Sequence, residues 1–264
     1  MKASHRIVGI VISLAVTAGL IAFTFAYDWF GPLISENDGK IDSVYRWLLV
    51  ASIPFFVIIC AMIAFCVIEF RVKSDDPNEE DGAPFHGSTR IEIIWTVIPT
   101  IVVLALGVYA WMVLDDVEAR EPNELKIQVV GQQFAWNFKY PSLGIETNGD
   151  LIVPKDRALF FEMTSADVIH SFYVPNARMK RDVADGFTSR LNFRPDKLGA
   201  YPIVCTELCG IGHATMRSTL RVVTPAAFAH WVAAKKAAGD SKSTGAISST
   251  VEGSSASSST TGAK

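Results

Sequence analysis

Five side chains able to hold a soft metal ion fall within twelve residues of this chain. They are Cys205, Glu207, Cys209, His213 and Met216, spaced C-x-E-x-C-G-x-x-H-x-x-M, and His170 lies upstream of them. Thiolate, thioether and imidazole together favour copper over hard cations, which prefer carboxylates and water. A Cys205–Cys209 disulfide is the plain alternative for so short a loop, but it leaves the histidine and the methionine without a role. A tetrahedral zinc site draws on Cys, His and carboxylate, and Met216 argues against it. A mononuclear blue-copper site uses one cysteine, and here there are two. Two thiolates facing each other in one loop can each bridge a pair of copper ions, with a histidine terminating each end.

The other two cysteines, Cys60 and Cys66, sit inside an apolar run and read as small hydrophobes on a lipid-embedded helix. That run is one of three. Ile7 to Ala26, Trp47 to Ile68 and Ile93 to Leu114 are each long enough, at 1.5 Å per residue, to cross roughly 30 Å of hydrocarbon. Pro54 and Pro99 lie within two of them, as lipid-embedded helices tolerate. The first run follows Lys2 and Arg6 and ends on Thr24-Phe25-Ala26, so two readings stand for 1–26: a signal peptide removed before Tyr27, or an additional retained span.

Arg71, Lys73 and Arg90 lie between the second and third runs, whereas Asp28, Glu36, Asp38 and Asp42 outnumber Lys40 before the second. The positive-inside rule then places a helical hairpin at 44–114 with its loop in the cytoplasm and everything from Asp115 outside. This holds whether or not the first run is kept. The expected location is the bacterial plasma membrane, multi-pass, with lipid as a partner and the metal-bearing part on the periplasmic or extracellular side.

From Glu124 to Thr224 the pattern changes to period-two alternation, the mark of antiparallel strands in a sandwich or barrel. Phe134, Trp136, Phe138 and Tyr140 fall on one strand face, Leu159, Phe161 and Met163 alternate likewise, and Tyr201 and Ile203 lead into Cys205. Thr224-Pro225, then Ala226 to Ala238 and Gly239, predicts a capped helix that closes the exported domain, 115–239. The remainder, 240–264, is nearly all Ser, Thr, Gly and Ala and is expected to be a disordered tail. Half of all residues are hydrophobic and the formal net charge is only −3, so neither composition nor any basic stripe argues for nucleic acid. No Cys-x-x-Cys-His haem-attachment sequence is present.

The Cys205–Met216 loop, with Asp167-Val168-Ile169-His170-Ser171-Phe172 before it, resembles the dinuclear copper A centre of the cytochrome c oxidase subunit II family. The similarity runs from about Ile41 to Pro225, omitting the first apolar run and the tail. It implies an all-β, cupredoxin-like Greek-key barrel after a transmembrane helical hairpin. It also implies two copper ions, with Cys205 and Cys209 as bridging thiolates, His170 and His213 as terminal ligands, Met216 as a weak ligand and the Glu207 carbonyl as another. The Glu207 carboxylate would help hold a magnesium ion shared with subunit I.

Glu92, opening the third run, matches the position of a glutamate at the inner mouth of a proton channel in the partner subunit. A water-facing acid at a helix end is the simpler reading. Gln133-Phe134-Ala135-Trp136 falls where relatives carry a tryptophan-rich stretch that receives the electron from cytochrome c. Here Phe134 occupies the usual tryptophan position and Trp136 is the nearest indole, and both also suit a barrel core. Lys139 stands where many relatives are acidic, so a strong negative field for steering a lysine-rich donor is not expected.

The function implied is acceptance of electrons from cytochrome c and their transfer to haem-containing subunit I, with subunit III as a further partner. The oxygen chemistry and proton pumping would lie outside this chain. A copper A subunit of a nitric oxide reductase reads much alike. A membrane-anchored copper-binding protein is a rival that requires neither the hairpin nor Glu92, and a copper-free quinol oxidase subunit conflicts with the intact ligand set.

Overall fold

The computed structural model describes residues 3–35, 39–71 and 87–251, so Glu36, Asp38, Lys73 and the last stretch of the expected tail lie outside the described residues. The chain forms two units: a helical one (1–32 and 36–119) and a β-rich one built from 120 onward together with Leu33–Ser35.

Among the described residues, three helices make the first unit: α1 (Ala3–Ala26), α2 (Gly39–Glu69) and α3 (Thr89–Glu118). Each is long and apolar enough to cross a membrane. Their large apolar side chains face outward, as at Ile59 (57% exposed), Val103 (67%) and Trp111 (73%). Such a surface is stable only in a solvent as apolar as itself. Pro54 and Pro99 sit inside α2 and α3 without ending them, and Cys60 and Cys66 are exposed free thiols among the outward apolar groups. Glu92 lies in the first turn of α3, where a carboxylate is favoured by the helix dipole.

Among the described residues, the second unit packs two five-stranded sheets. One runs in the order β3 (Ile145–Asn148), β2 (Ala135–Tyr140), β1 (Leu125–Gln132), β5 (Leu159–Ser165), β8 (Ser189–Phe193). The other runs β4 (Leu151–Pro154), β10 (Arg217–Val223), β9 (Gly199–Cys205), β6 (His170–Val174), β7 (Met179–Val183). The β-sandwich is cupredoxin-like, as the resemblance implies. Not every pair is antiparallel, however: β1 lies parallel to β5, and β4 parallel to β10. Alternation marks which face of a strand is buried but carries no information about the direction of its neighbour, so these two pairings were not predictable from it.

The alternation itself marks the core. Trp136, Phe138 and Tyr140 are buried, as are Leu159, Phe161 and Met163, while Phe134 lies just before β2, in its turn from β1, and is half-buried. Across the two sheets Phe172 receives the edges of Trp136 (ring centroids 5.2 Å apart) and Phe138 (6.5 Å). Aromatic pairs prefer such edge-to-face geometry. Helix α4 (Pro225–Val251) opens with the Thr224 hydroxyl accepting the Ala227 N–H at 3.2 Å, the expected N-cap. Its Trp231 meets Tyr140 edge-on at 5.3 Å and closes one end of the sandwich. The helix continues past Gly239, where its end was expected, through a Ser/Thr-rich stretch that holds a second glycine, Gly245.

Candidate metal centre

Strand β9 delivers Cys205 as its last residue, and β6 presents His170 as its first. The two strands pair antiparallel with Phe172 opposite Cys205, which sets histidine and cysteine side by side at one end of the sheet. Beyond Cys205 the chain makes a short loop and a 3₁₀ turn (His213–Thr215) before entering β10. Cys205, Cys209, Met216 and His170 are all buried.

The donor atoms converge. Cys205 Sγ lies 3.9 Å from Cys209 Sγ, and both are free thiols rather than a disulfide. His170 Nδ1 is 4.0 Å from Cys205 Sγ, and His213 Nδ1 is 3.6 Å from Cys209 Sγ. Met216 Sδ is 3.8 Å from Cys209 Sγ, and the Glu207 carbonyl oxygen is 3.3 Å from Cys205 Sγ. The donors therefore divide into two sets, one about each sulfur, with His170 and the Glu207 carbonyl beside Cys205 and with His213 and Met216 beside Cys209. His170, Cys205 and Cys209 offer ligand atoms all within 4.8 Å of one another. All six metal residues named from sequence are brought together. The exposed Glu207 side chain points its carboxylate to no partner among the described residues.

Three further residues shape the centre. Asp167 Oδ1 lies 2.8 Å from His170 Nε2, so the ring N–H is donated to the carboxylate and Nδ1 keeps its lone pair toward the sulfurs. The other Asp167 oxygen accepts the Gln133 N–H at 2.8 Å, and the Gln133 side-chain amide donates to the Cys209 carbonyl at 2.5 Å. One turn between β1 and β2 thus touches both sides of the ligand set. Gly131 leaves room for the imidazole: a β-carbon there would come within 2.9 Å of His170 Cδ2. Asp167 was visible in the sequence only as a neighbour of His170, and Gln133 only as part of the aromatic stretch. A carboxylate three residues before a candidate histidine ligand is the signal that identifies the first.

Electrostatics follow from this packing. Burial and the neighbouring Cys205 sulfur push the Cys209 thiol up to about 11. Partial burial would raise Asp167, but hydrogen bonds from Gln133, His170 and Val168 outweigh it and hold the carboxyl at about 2. The donor set is soft, paired and shielded, and it fits copper.

Of the residues singled out for receiving electrons, Trp136 is only 1% exposed and stands edge-on to His170 with ring centroids 5.9 Å apart. Phe134 is half-buried and lies against the backbone between Cys209 and His213, where a β-carbon on Gly212 would collide with its ring. Glu92 belongs to the helical unit. Val168 (41% exposed), Ile169 (54%), Leu208 (78%) and Ile211 turn apolar side chains outward from the two ligand-bearing segments.

Comparison with known proteins gives this geometry its context. The family model for the periplasmic domain of cytochrome c oxidase subunit II matches residues 143–223, and that for its transmembrane domain matches 34–113. Cytochrome c oxidase subunit 2 of Synechocystis sp. is 30% identical, over 87% of this chain and 83% of that protein. The chain belongs to the cytochrome c oxidase subunit II family. A probable subunit 2 of Rickettsia bellii is 29% identical, covering 85% of this chain and 92% of the relative. The periplasmic domain of the Bradyrhizobium japonicum subunit II is a solved structure 31% identical to 42% of this chain, over 93% of its own length, with a TM-score of 0.42. As a subunit II, the chain is a component of a haem-copper oxidase complex and a partner of subunit I. Its spans anchor a copper-binding, cupredoxin-like domain on the periplasmic side of the membrane.

Proposed function

We propose that this subunit II accepts electrons from a cytochrome c at a dinuclear copper A centre and passes them to the haems of subunit I. The observation that carries this is the pairing of two free, buried thiols 3.9 Å apart with one histidine beside each. Cys205 and Cys209 would be the thiolates shared by two ions, His170 and His213 the end ligands, Met216 and the Glu207 carbonyl the weaker donors. When bound, the pair of copper ions supplies a one-electron carrier whose charge is spread over two nuclei.

The protein's part is to hold its donors still. His170 is fixed by Asp167, the loop carbonyl of Cys209 by Gln133, and the imidazole's space by Gly131, so little rearrangement accompanies a change in charge. The candidate donors are all protein atoms, and Cys205, Cys209, Met216 and His170 are buried, which suits transfer rather than reaction with oxygen. Electrons enter through the β1–β2 turn, with the Phe134 ring outermost and Trp136 behind His170. The exposed apolar groups Val168, Ile169, Leu208 and Ile211 support a donor that docks largely by apolar contact.

In the same reading the exposed Glu207 carboxylate helps bind magnesium at the boundary with subunit I, Glu92 serves the mouth of a proton channel of that subunit, and subunit III joins the assembly. Residues 1–26 form either a removed signal or a retained span, and 44–114 form the hairpin.

The decisive experiment is copper analysis with electron spin resonance on the purified full-length protein. Two coppers per chain, with hyperfine structure from two equivalent nuclei, are expected. One copper per chain would overturn the dinuclear assignment.

A further inference from the structure

The segment Leu33–Ser35 precedes α2 in the chain yet is built into the metal-carrying domain. Ile34 is fully buried and Ser35 is 3% exposed. The Ile34 N–H donates to the Asn176 carbonyl at 2.9 Å, and the Ile34 carbonyl accepts the N–H groups of Asp196 (3.1 Å) and Lys197 (3.2 Å). A side chain with no remaining exposure and a residue bonded through both its N–H and its carbonyl mark a segment built into the domain rather than a passing linker. The sequence prepares the approach. The Asp28 carboxylate accepts the N–H groups of Phe30 and Gly31, Gly31 takes a left-handed φ of +65°, and Pro32 fixes the next turn of backbone before Leu33.

The residues gripped are those at the far ends of the two strands that supply metal ligands. Asn176 sits in the 3₁₀ turn (Pro175–Ala177) directly after β6, whose first residue is His170. Asp196 and Lys197 precede β9, whose last residue is Cys205. Because β6 and β9 are antiparallel, both grips fall at the end of the sheet opposite the ligands.

Chain connectivity gives this contact its consequence. The domain's principal attachment to the spans is the link from α3 at Glu118 through Ala119 to Arg120. Ser35 is followed within four residues by α2, which starts at Gly39. We propose that Leu33–Ser35, clipped into the domain by Ile34, is a second tether that restrains the copper-binding domain from swinging about its link to α3. A body held by one covalent strand samples a broad cone, and a second short strand removes most of that freedom. Ile34 is in this sense a positioning residue. Its backbone partners, Asn176, Asp196 and Lys197, are not candidate ligands, and any effect on electron delivery to subunit I would come through the domain's freedom to swing. That last consequence rests on the electron-transfer reading, whereas the tether itself does not.

The test uses the full-length protein in lipid nanodiscs, with nitroxide-bearing unnatural residues at Ser52 in α2 and Ser142 in the domain. Pulsed electron resonance should give a narrow distance distribution, and hydrogen exchange should show the amides of Ile34, Asp196 and Lys197 protected. Ile34→Asp should accelerate exchange at those amides by about tenfold or more and broaden the distribution, while Ile34→Val restores both. A protease site replacing residues 36–38 provides the second arm. Cutting it should broaden the distribution while Asp196 and Lys197 stay protected, even if Ile34→Asp does not fold. A broad distribution in the uncut native protein, or one unchanged by cutting, overturns the tether. Both measurements are made on metal-free protein, so they stand or fall apart from the copper assignment.

Discussion

The two halves of this molecule use the same residue types in opposite senses. In the helical unit Trp95 and Trp111 face outward, 62% and 73% exposed, and Cys60 and Cys66 are exposed among apolar neighbours. In the β-sandwich Trp136 is buried against His170, and Cys205 and Cys209 are buried with nitrogen and sulfur donors within 4 Å. Residue type sets what a side chain can do, and its surroundings decide whether it does it. A cysteine among exposed apolar groups is a small hydrophobe, while a buried cysteine facing imidazole is a candidate ligand.

The sharpest way to break this comparison is to exchange serine for cysteine in each half. Cys205→Ser should abolish the dinuclear copper signal and reduce cytochrome c oxidation to background, whereas Cys60→Ser and Cys66→Ser should leave both intact. Residual native activity in Cys205→Ser would show that electrons bypass this site. The tryptophans give the next largest contrast. Trp136→Ala should destabilise the domain by about 3–5 kcal/mol, through loss of a fully buried ring. Trp95→Ala, on an outward-facing surface of the helical unit, should cost less than about 1 kcal/mol in thermal unfolding of the detergent-solubilised chain.

Asp167 sharpens the comparison within the site. Asp167→Asn should weaken copper retention by about 10- to 100-fold, read by competition with a chelator, because the ring N–H of His170 loses its anionic acceptor. The same carboxyl has a pH signature. Its pKa is about 2 in the folded chain against 3.8 unperturbed, so its contribution to stability is complete above the unfolded value and is lost as the pH falls through the folded one. Metal-free protein should therefore lose stability between pH 3.8 and about 2, with a shallower fall in Asp167→Asn. Cys209 titrates in the other direction. A thiol held up to about 11 must release its proton to bind metal, so copper affinity should rise with pH across the neutral range.

The smallest effects concern electrons and protons. Among the described residues the buried Trp136 N–H finds no hydrogen-bond partner, so Trp136→Phe forfeits no such bond and should cost much less stability than Trp136→Ala. Slower electron uptake in that variant, with a normal copper spectrum, would assign the route to the indole. Glu92→Gln should lower turnover while leaving the copper spectrum unchanged, and full turnover would return Glu92 to an ordinary helix-end acid.

What could be read from the sequence was what is local. The six candidate ligands lie in a tight spacing and one upstream motif, and each span is a single apolar run. Period-two alternation likewise placed Trp136, Phe138 and Tyr140 in the core. The parallel pairing of β1 with β5 and of β4 with β10 was invisible, because it depends on where distant strands meet. The role of Gln133 was hidden for the same reason: its two contacts, at Asp167 and Cys209, lie far along the chain. Leu33–Ser35 is too short to show any period at all, and only its backbone partners reveal that it belongs to the domain.

Ile34 also orders events during biogenesis. It reaches the outer face early, ahead of α2, yet its partners at Asn176, Asp196 and Lys197 emerge only after both later helices have been inserted and most of the sandwich has been exported. A seam stitched from the beginning of the chain to its last third closes late. Until it does, the place that Ile34 fills in the finished domain stands empty, so chains stalled before that point should be cut by protease faster than completed ones.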